Sequence, residues 1–152
     1  MSIESRLKEL GIELPEMAAP KGSYIPVQKA GHLLFLSGQL PTKNNALIYT
    51  GHVGSEVSLE EASQAAKLCM INSLAALKAS LGDLERVKKI VKLQSFVNSA
   101  PGFTQQHVVT NGASDFLQEV FGEKGRHART AVAVPELPLG SPIEIEMIVE
   151  ID

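Results

Sequence analysis

Ile143-Glu-Ile-Glu-Met-Ile-Val-Glu-Ile151 is the stretch on which the fold class turns. Ile143, Ile145, Met147, Val149 and Ile151 alternate with Glu144, Glu146 and Glu150, so an extended chain carries its apolar residues on one face and its carboxylates on the other. Such a strand packs one face on a second layer and leaves the other polar. Just upstream, Thr130-Ala-Val-Ala-Val134 reads as another strand, joined to it by a Pro/Gly loop from Pro135 to Pro142. Ile90 to Val97 is a third strand, broken by Asn98-Ser-Ala-Pro-Gly102. Leu33-Leu-Phe-Leu-Ser37, closed by Gly38, is a continuous apolar run, the pattern of a strand buried on both faces. Tyr24-Ile-Pro-Val-Gln28 is a strand at an edge or bulge, since Pro26 has no ladder donor, and Gly31-His32 makes the turn between these two.

The layer that covers the sheet is equally legible. Ser58-Leu-Glu-Glu61 is a capping box and opens a long helix that runs to about Leu81, with Gly82 as its stop. Its apolar stripe includes Ala62, Ala66, Cys69, Leu74 and Leu77, and its alanines permit close approach to a sheet. A second amphipathic helix lies within Thr104–Phe121 and carries Val109, Ala113, Phe116, Leu117, Val120 and Phe121. A short N-terminal helix is capped by Ser2, faces inward with Ile3, Leu7 and Leu10, and ends at Gly11. An extended linker follows from Ile12 to Gly22, with Pro15 and Pro20, and residues 41–57 are loop-rich. The order is strand-strand-helix-strand-helix-strand-strand after a helical arm. This is an α+β fold: one mixed sheet with two helices on one face, in a single domain over 1–152 whose first 22 residues form the arm and linker.

Composition narrows the function. The 152 residues are 44% hydrophobic and 20% charged, as expected of an ordered globular chain. A net charge of −3, with 5% aromatics and no Trp, is poorly suited to tracking phosphates or stacking bases, so no nucleic-acid partner is expected. The basic run Arg86, Lys88, Lys89 and Lys92 sits beside Asp83 and Glu85 and reads as a solvated turn. No apolar run reaches the about 20 residues of a membrane span, and Met1-Ser-Ile-Glu-Ser-Arg6 does not read as a signal peptide. One cysteine, Cys69, points to a reducing compartment, and the expected location is the cytoplasm. GxxxxGK[ST], GxGxxG, HExxH and GxSxG motifs are absent, and His32, His52, His107 and His127 show no metal-ligand spacing, so neither cofactor nor metal is expected.

The charge in the last two strands invites a function. If the Pro135–Pro142 loop closes a hairpin centred near Glu136 and Leu137, Arg129 stands opposite Glu144 and shares its face. The pair then forms a surface salt bridge, or lines a pocket at a seam with another subunit.

Ser37-Gly38-Gln39 after an apolar strand, the helix-strand-helix centre, and Ala128-Arg129-x-x-Val-x-Val with Leu137-Pro138 and Ile143-Glu144-Ile-Glu146 resemble the RidA/YjgF family of enamine/imine deaminases. The resemblance covers roughly Tyr24 to Val149. The N-terminal arm and Gly125-Arg-His-Ala-Arg129 look like a longer-chain branch. It implies a chorismate-mutase-like fold and a homotrimer with a barrel-like core, whose active sites lie in the clefts between subunits. It places the family's carboxylate-binding arginine on Arg129 and its water-positioning glutamate on Glu144. Substrate-binding positions fall on Tyr24, Ser37, Gly38 and Ala131, and the helix asparagine falls on Asn111 or, aligned from Phe121, on Ser114. Two positions depart from the pattern: the family cysteine is Ala131, and the proline before Ala-Arg is His127. The implied activity is hydrolysis of small 2-imino acids to 2-keto acids and ammonia. The alternatives are a small-carboxylate binding module and an endoribonuclease or translation inhibitor.

Overall fold

The computed structural model describes residues 1–17 and 22–152. Pro20 and the centre of the expected linker lie outside the described residues. Helix α1 (Ile3–Glu9) forms where expected: Ser2 accepts from the Ser5 amide, and Gly11 leaves the helix at φ 71°. The arm docks through Arg6, which donates to the Glu119 carbonyl at 2.8 Å, and through the Ile3 amide, which donates to the Glu85 carboxylate. Strands β1 (Val27–Ala30) and β2 (Leu33–Gln39) lead to a small hairpin of β3 (Thr42–Lys43) and β4 (Ala46–Leu47), which was not legible within the loop-rich stretch. Its turn residues Asn44 and Asn45 both have positive φ, the conformation of a tight hairpin turn.

Helix α2 (Leu59–Leu81) has both halves of its capping box: the Glu61 amide donates to Ser58 Oγ at 3.1 Å, and the Ser58 amide donates to Glu61 Oε1 at 3.0 Å. Gly82, at φ 79°, closes it by donating to the Lys78 carbonyl at 2.8 Å. Strand β5 (Val87–Asn98), helix α3 (Gln106–Phe121), strand β6 (Ala128–Val134) and strand β7 (Ile143–Ile151) complete the chain. The five long strands form one mixed sheet in the order β1-β2-β7-β5-β6, antiparallel except for the parallel pair β5–β6. Every apolar residue of the β7 alternation is buried, and Leu34, Leu36, Ile90, Leu93 and Val97 join them beneath α2 and α3.

Three expectations are corrected. First, β6 and β7 are not a hairpin, because β5 lies between them. The loop after β6 crosses the end of β5, where the Asn98 amide donates to the Pro142 carbonyl at 2.9 Å, and so delivers β7 to the sheet centre. A central slot suits β7 because its whole apolar face is then covered. Arg129 therefore stands opposite Leu93 on the helix side, while Glu144 stands opposite Phe96 on the open side. Second, β2 is buried on one face only: Leu34 and Leu36 are buried, but Phe35 is 43% exposed, with no layer of the described residues over the open side. Third, the first strand begins at Val27, and Tyr24 precedes it. Pro26 adjoins this edge strand, as its missing donor requires.

The two helices touch closely at Gly112, where an added Cβ would lie 2.1 Å from the Ser63 carbonyl oxygen. Gly112→Ala gains about 1 kcal/mol of intrinsic helix propensity. The Ser63 carbonyl is backbone and cannot readily give way, so an overpacking cost of about 1–3 kcal/mol, occasionally more, opposes that gain and exceeds it at so close an approach. Urea unfolding is expected to show a lower midpoint for the variant; an equal or higher midpoint contradicts this packing.

Candidate functional site

Two clusters of expected site residues emerge, on opposite faces of the sheet. The first is built on Arg129. Its position on an edge strand, facing the helix layer, brings the guanidinium against α3. Nη1 donates to Asn111 Oδ1 at 2.8 Å and to Ser114 Oγ at 3.1 Å, and Nη2 donates to the His107 carbonyl at 2.9 Å. Asn111 and Ser114 are therefore not alternatives: they lie three residues apart on one helix face and both hold the same cation. Of the five N–H groups of a guanidinium, Nε–H and one Nη2–H are not used in these bonds. Ala131 is two residues along β6 on the same face, opposite the buried Ser95.

The His107 carbonyl could not be found from side-chain types, because any residue supplies one. His127 belongs to this cluster too. Its Nε2 is 2.9 Å from Ser114 Oγ, and its Nδ1 is 2.6 Å from the Gly125 carbonyl. Burial pushes the His127 imidazole below the ordinary histidine range, the Gly125 carbonyl opposes this, and the Arg129 charge adds to it.

The second cluster surrounds Glu144 on the open face. An added Cβ at Gly38 would lie 2.8 Å from Glu144 Oε1, so the absent side chain is what admits the carboxylate beside β2. Half-burial raises the Glu144 carboxyl above the ordinary glutamate range, and the charge of Glu146 raises it further. Ser37 donates through Oγ to the Ile25 carbonyl at 2.8 Å and through its amide to the Pro26 carbonyl at 2.9 Å, fixing the segment that carries Tyr24. Tyr24 itself is 59% exposed. Cys69 lies buried in α2; burial above all, and then the Glu144 charge, pushes its thiol well up, so it is a core residue that stays protonated.

Arg129 and Glu144 do not meet within the chain. They are two strands and three residues apart, roughly 10 Å in each direction by strand geometry, and they point to opposite sides. Among the described residues, no group of three or more His, Cys, Asp or Glu is placed to hold a metal ion, and no helix is long and apolar enough to cross a membrane. Within the basic run, Lys88 and Lys89 share Glu150 at 3.7 and 3.3 Å, and Arg86 reaches Asp152 at 3.1 Å.

Residues 4–151 match the family model described as "YjgF/chorismate mutase-like, putative endoribonuclease". The chain is 44% identical to Protein TCP17 of Trypanosoma cruzi over 99% of its own length and 94% of that protein's. It is 31% identical to the RutC family protein y4sK of Sinorhizobium fredii, over 86% of its own length and 88% of that protein's. A solved Agrobacterium tumefaciens protein of unknown function, Atu1372, superposes with a TM-score of 0.92 at 48% identity, over 99% of this chain and 92% of that one.

The order of causes at Glu144 is testable. Glu146→Gln is expected to lower the Glu144 midpoint in a carboxyl carbon NMR titration yet leave it above the ordinary glutamate value, because burial is the larger cause. A full return to the ordinary value would make the neighbouring charge the main cause.

Proposed function

The chain belongs to the YjgF/chorismate mutase-like family, and on that premise we propose that it hydrolyses small 2-imino acids to 2-keto acids and ammonia, in clefts formed between subunits of a homotrimer. The observation that carries this reading is the pre-oriented Arg129. Three acceptors from α3 hold the guanidinium in place and leave two donors on neighbouring nitrogens for a planar carboxylate. The opposed placement of Arg129 and Glu144 supports the assembly: one chain presents two half-sites, and a second copy is needed to bring an arginine to a glutamate. Phe35 and Val132, 43% and 42% exposed on the open face, supply apolar surface for that contact.

In this reading Arg129 takes the substrate carboxylate and fixes C2 of the imine. Glu144, from the neighbouring copy, orients a water and accepts its proton as the oxygen adds to C2. Glu144 returns that proton to the nitrogen, and the resulting carbinolamine passes its hydroxyl proton to the same nitrogen as the C–N bond breaks, releasing ammonia and leaving the keto acid. Main-chain groups near Gly38 and Ala131 position the water and the nitrogen. Tyr24 and Ser37 line the glutamate's side, and Asn111 stands behind the arginine. Imines hydrolyse readily in water, so positioning supplies the acceleration required, and no thiol is called for at Ala131.

A second reading is favoured by one feature. The Arg129 cluster is complete as a carboxylate clamp without Glu144, which suits a binding module for a keto acid or a similar anion. The term endoribonuclease in the family description, and in the description of a solved Shewanella oneidensis relative at 37% identity, draws little support from this surface. Its open face carries Glu144, Glu146 and Glu150 and its net charge is −3.

Imines generated in situ by an amino-acid oxidase, with semicarbazide trapping the survivors, separate these readings. Arg129→Ala removes two charge-assisted bonds, each worth about 1.5–3 kcal/mol, and is expected to lower kcat/KM by roughly 100- to 10,000-fold. Undiminished turnover in a folded variant overturns the assignment. Glu144→Gln is expected to abolish turnover yet bind keto acid; a wild-type protein that binds but never accelerates imine loss establishes the binding module. The raised Glu144 carboxyl sets the pH profile. A general base must be ionised, so activity falls on acidification with a midpoint above the ordinary glutamate range; an acid limb at or below the ordinary glutamate value counts against Glu144 as the base.

A further inference from the structure

The bonds behind Arg129 have a direction that the chemistry of each group imposes. The Gly125 carbonyl only accepts, so the His127 Nδ1 at 2.6 Å from it carries the proton. A neutral imidazole then has a bare Nε2, and it accepts from the Ser114 hydroxyl at 2.9 Å. With its hydrogen turned to His127, Ser114 Oγ presents lone pairs to Arg129 Nη1 at 3.1 Å, and a guanidinium only donates. Burial and the nearby Arg129 charge both favour the neutral ring that this chain of bonds requires. The groups facing His127 come from three elements: Ser114 of α3, Arg129 of β6, and the Gly125 carbonyl of the turn between them. The flanking Arg126 is turned to Glu123, at 3.4 Å.

We propose that Ser114 and His127 are positioning residues: a one-way chain of hydrogen bonds, Arg129 to Ser114 to His127 to the Gly125 carbonyl, fixes the orientation of the Arg129 guanidinium and so sets affinity for a carboxylate. Without His127 as acceptor, the Ser114 hydroxyl is free to rotate its hydrogen toward the guanidinium and lose its value as an acceptor. The fork then turns on its remaining partners, Asn111 and the His107 carbonyl. The proposal rests on reading Arg129 as the carboxylate anchor, but the ordering of its side chain is observable without any ligand.

The test compares His127→Phe, His127→Gln and Ser114→Ala, each checked for folding by thermal melting, with Arg129→Ala as the control. Phenylalanine keeps the ring volume and loses both polar atoms; glutamine keeps an acceptor and a donor. If His127 merely fills space, His127→Phe matches wild type and His127→Gln does not. The proposal expects the reverse. Pyruvate binding, followed by NMR titration, weakens by about tenfold in His127→Phe and in Ser114→Ala, the upper end of what one net hydrogen bond contributes. His127→Gln stays within about threefold of wild type. In the ligand-free proteins, the Arg129 Nε–H signal shifts and exchanges faster in His127→Phe and Ser114→Ala. An unchanged Arg129 signal in both variants overturns the proposal whatever pyruvate does. A changed signal, in a protein whose wild type and Arg129→Ala bind pyruvate alike, sustains the positioning role and overturns the carboxylate reading instead.

Discussion

The structure depends on the central position of β7. Its five buried apolar residues, Ile143 to Ile151, lie beneath the helix layer, with α2 packed on the strand, and β2 and β5 flank the strand on both sides. A peripheral β7 would leave part of that face uncovered, at about 25 cal/mol for each Å² of apolar surface. Seating it in the middle forces the chain to cross the end of β5, and it displaces β6 to the edge. The placement of both proposed half-sites follows from that displacement. Arg129 comes to the rim, where α3 can hold it, and Glu144 comes to an interior strand, where half-burial raises its carboxyl.

Elements dominated by local interactions were legible. Ser58 and Glu61 supply their own reciprocal bonds, Gly82 its own left-handed stop, and the β7 alternation its own two faces. The helix stripe placed Cys69 in the core, where it lies. Strand order was not legible, because nothing within Thr130–Ile151 distinguishes a hairpin from a crossover. Both use the same loop and the same alternation, and only competition among β2, β5 and β6 for the sides of β7 decides between them. The assumed hairpin set Arg129 and Glu144 side by side. The parallel pairing with β5 sets them on opposite faces.

The apolar run at Leu33–Leu36 misled for a related reason. Its composition implies cover on both faces, but the described residues cover only one. In the proposed assembly that excess of apolar residues is the signal for a second layer: a strand written for two covered faces that finds one of them bare. The site residues divide in the same way. Arg129, Asn111 and Ser114 were findable by type. The His107 carbonyl was not, since its role is set by where the first turn of α3 lies rather than by its side chain.

Dividing a site between faces has a physical consequence for the chemistry proposed here. Glu144 has a carboxyl raised by half-burial, whereas Arg129 is a permanent cation already satisfied on one side. Brought together in the proposed assembly, the cation and the anionic substrate it holds would act on Glu144 in opposite senses. A fixed Arg–Glu pair within one chain would occupy both donors and hold the carboxylate ionised and inert. The crossover that keeps the two residues apart in the protomer therefore leaves both free for a ligand, with the cost of ordering the arginine met during folding rather than binding.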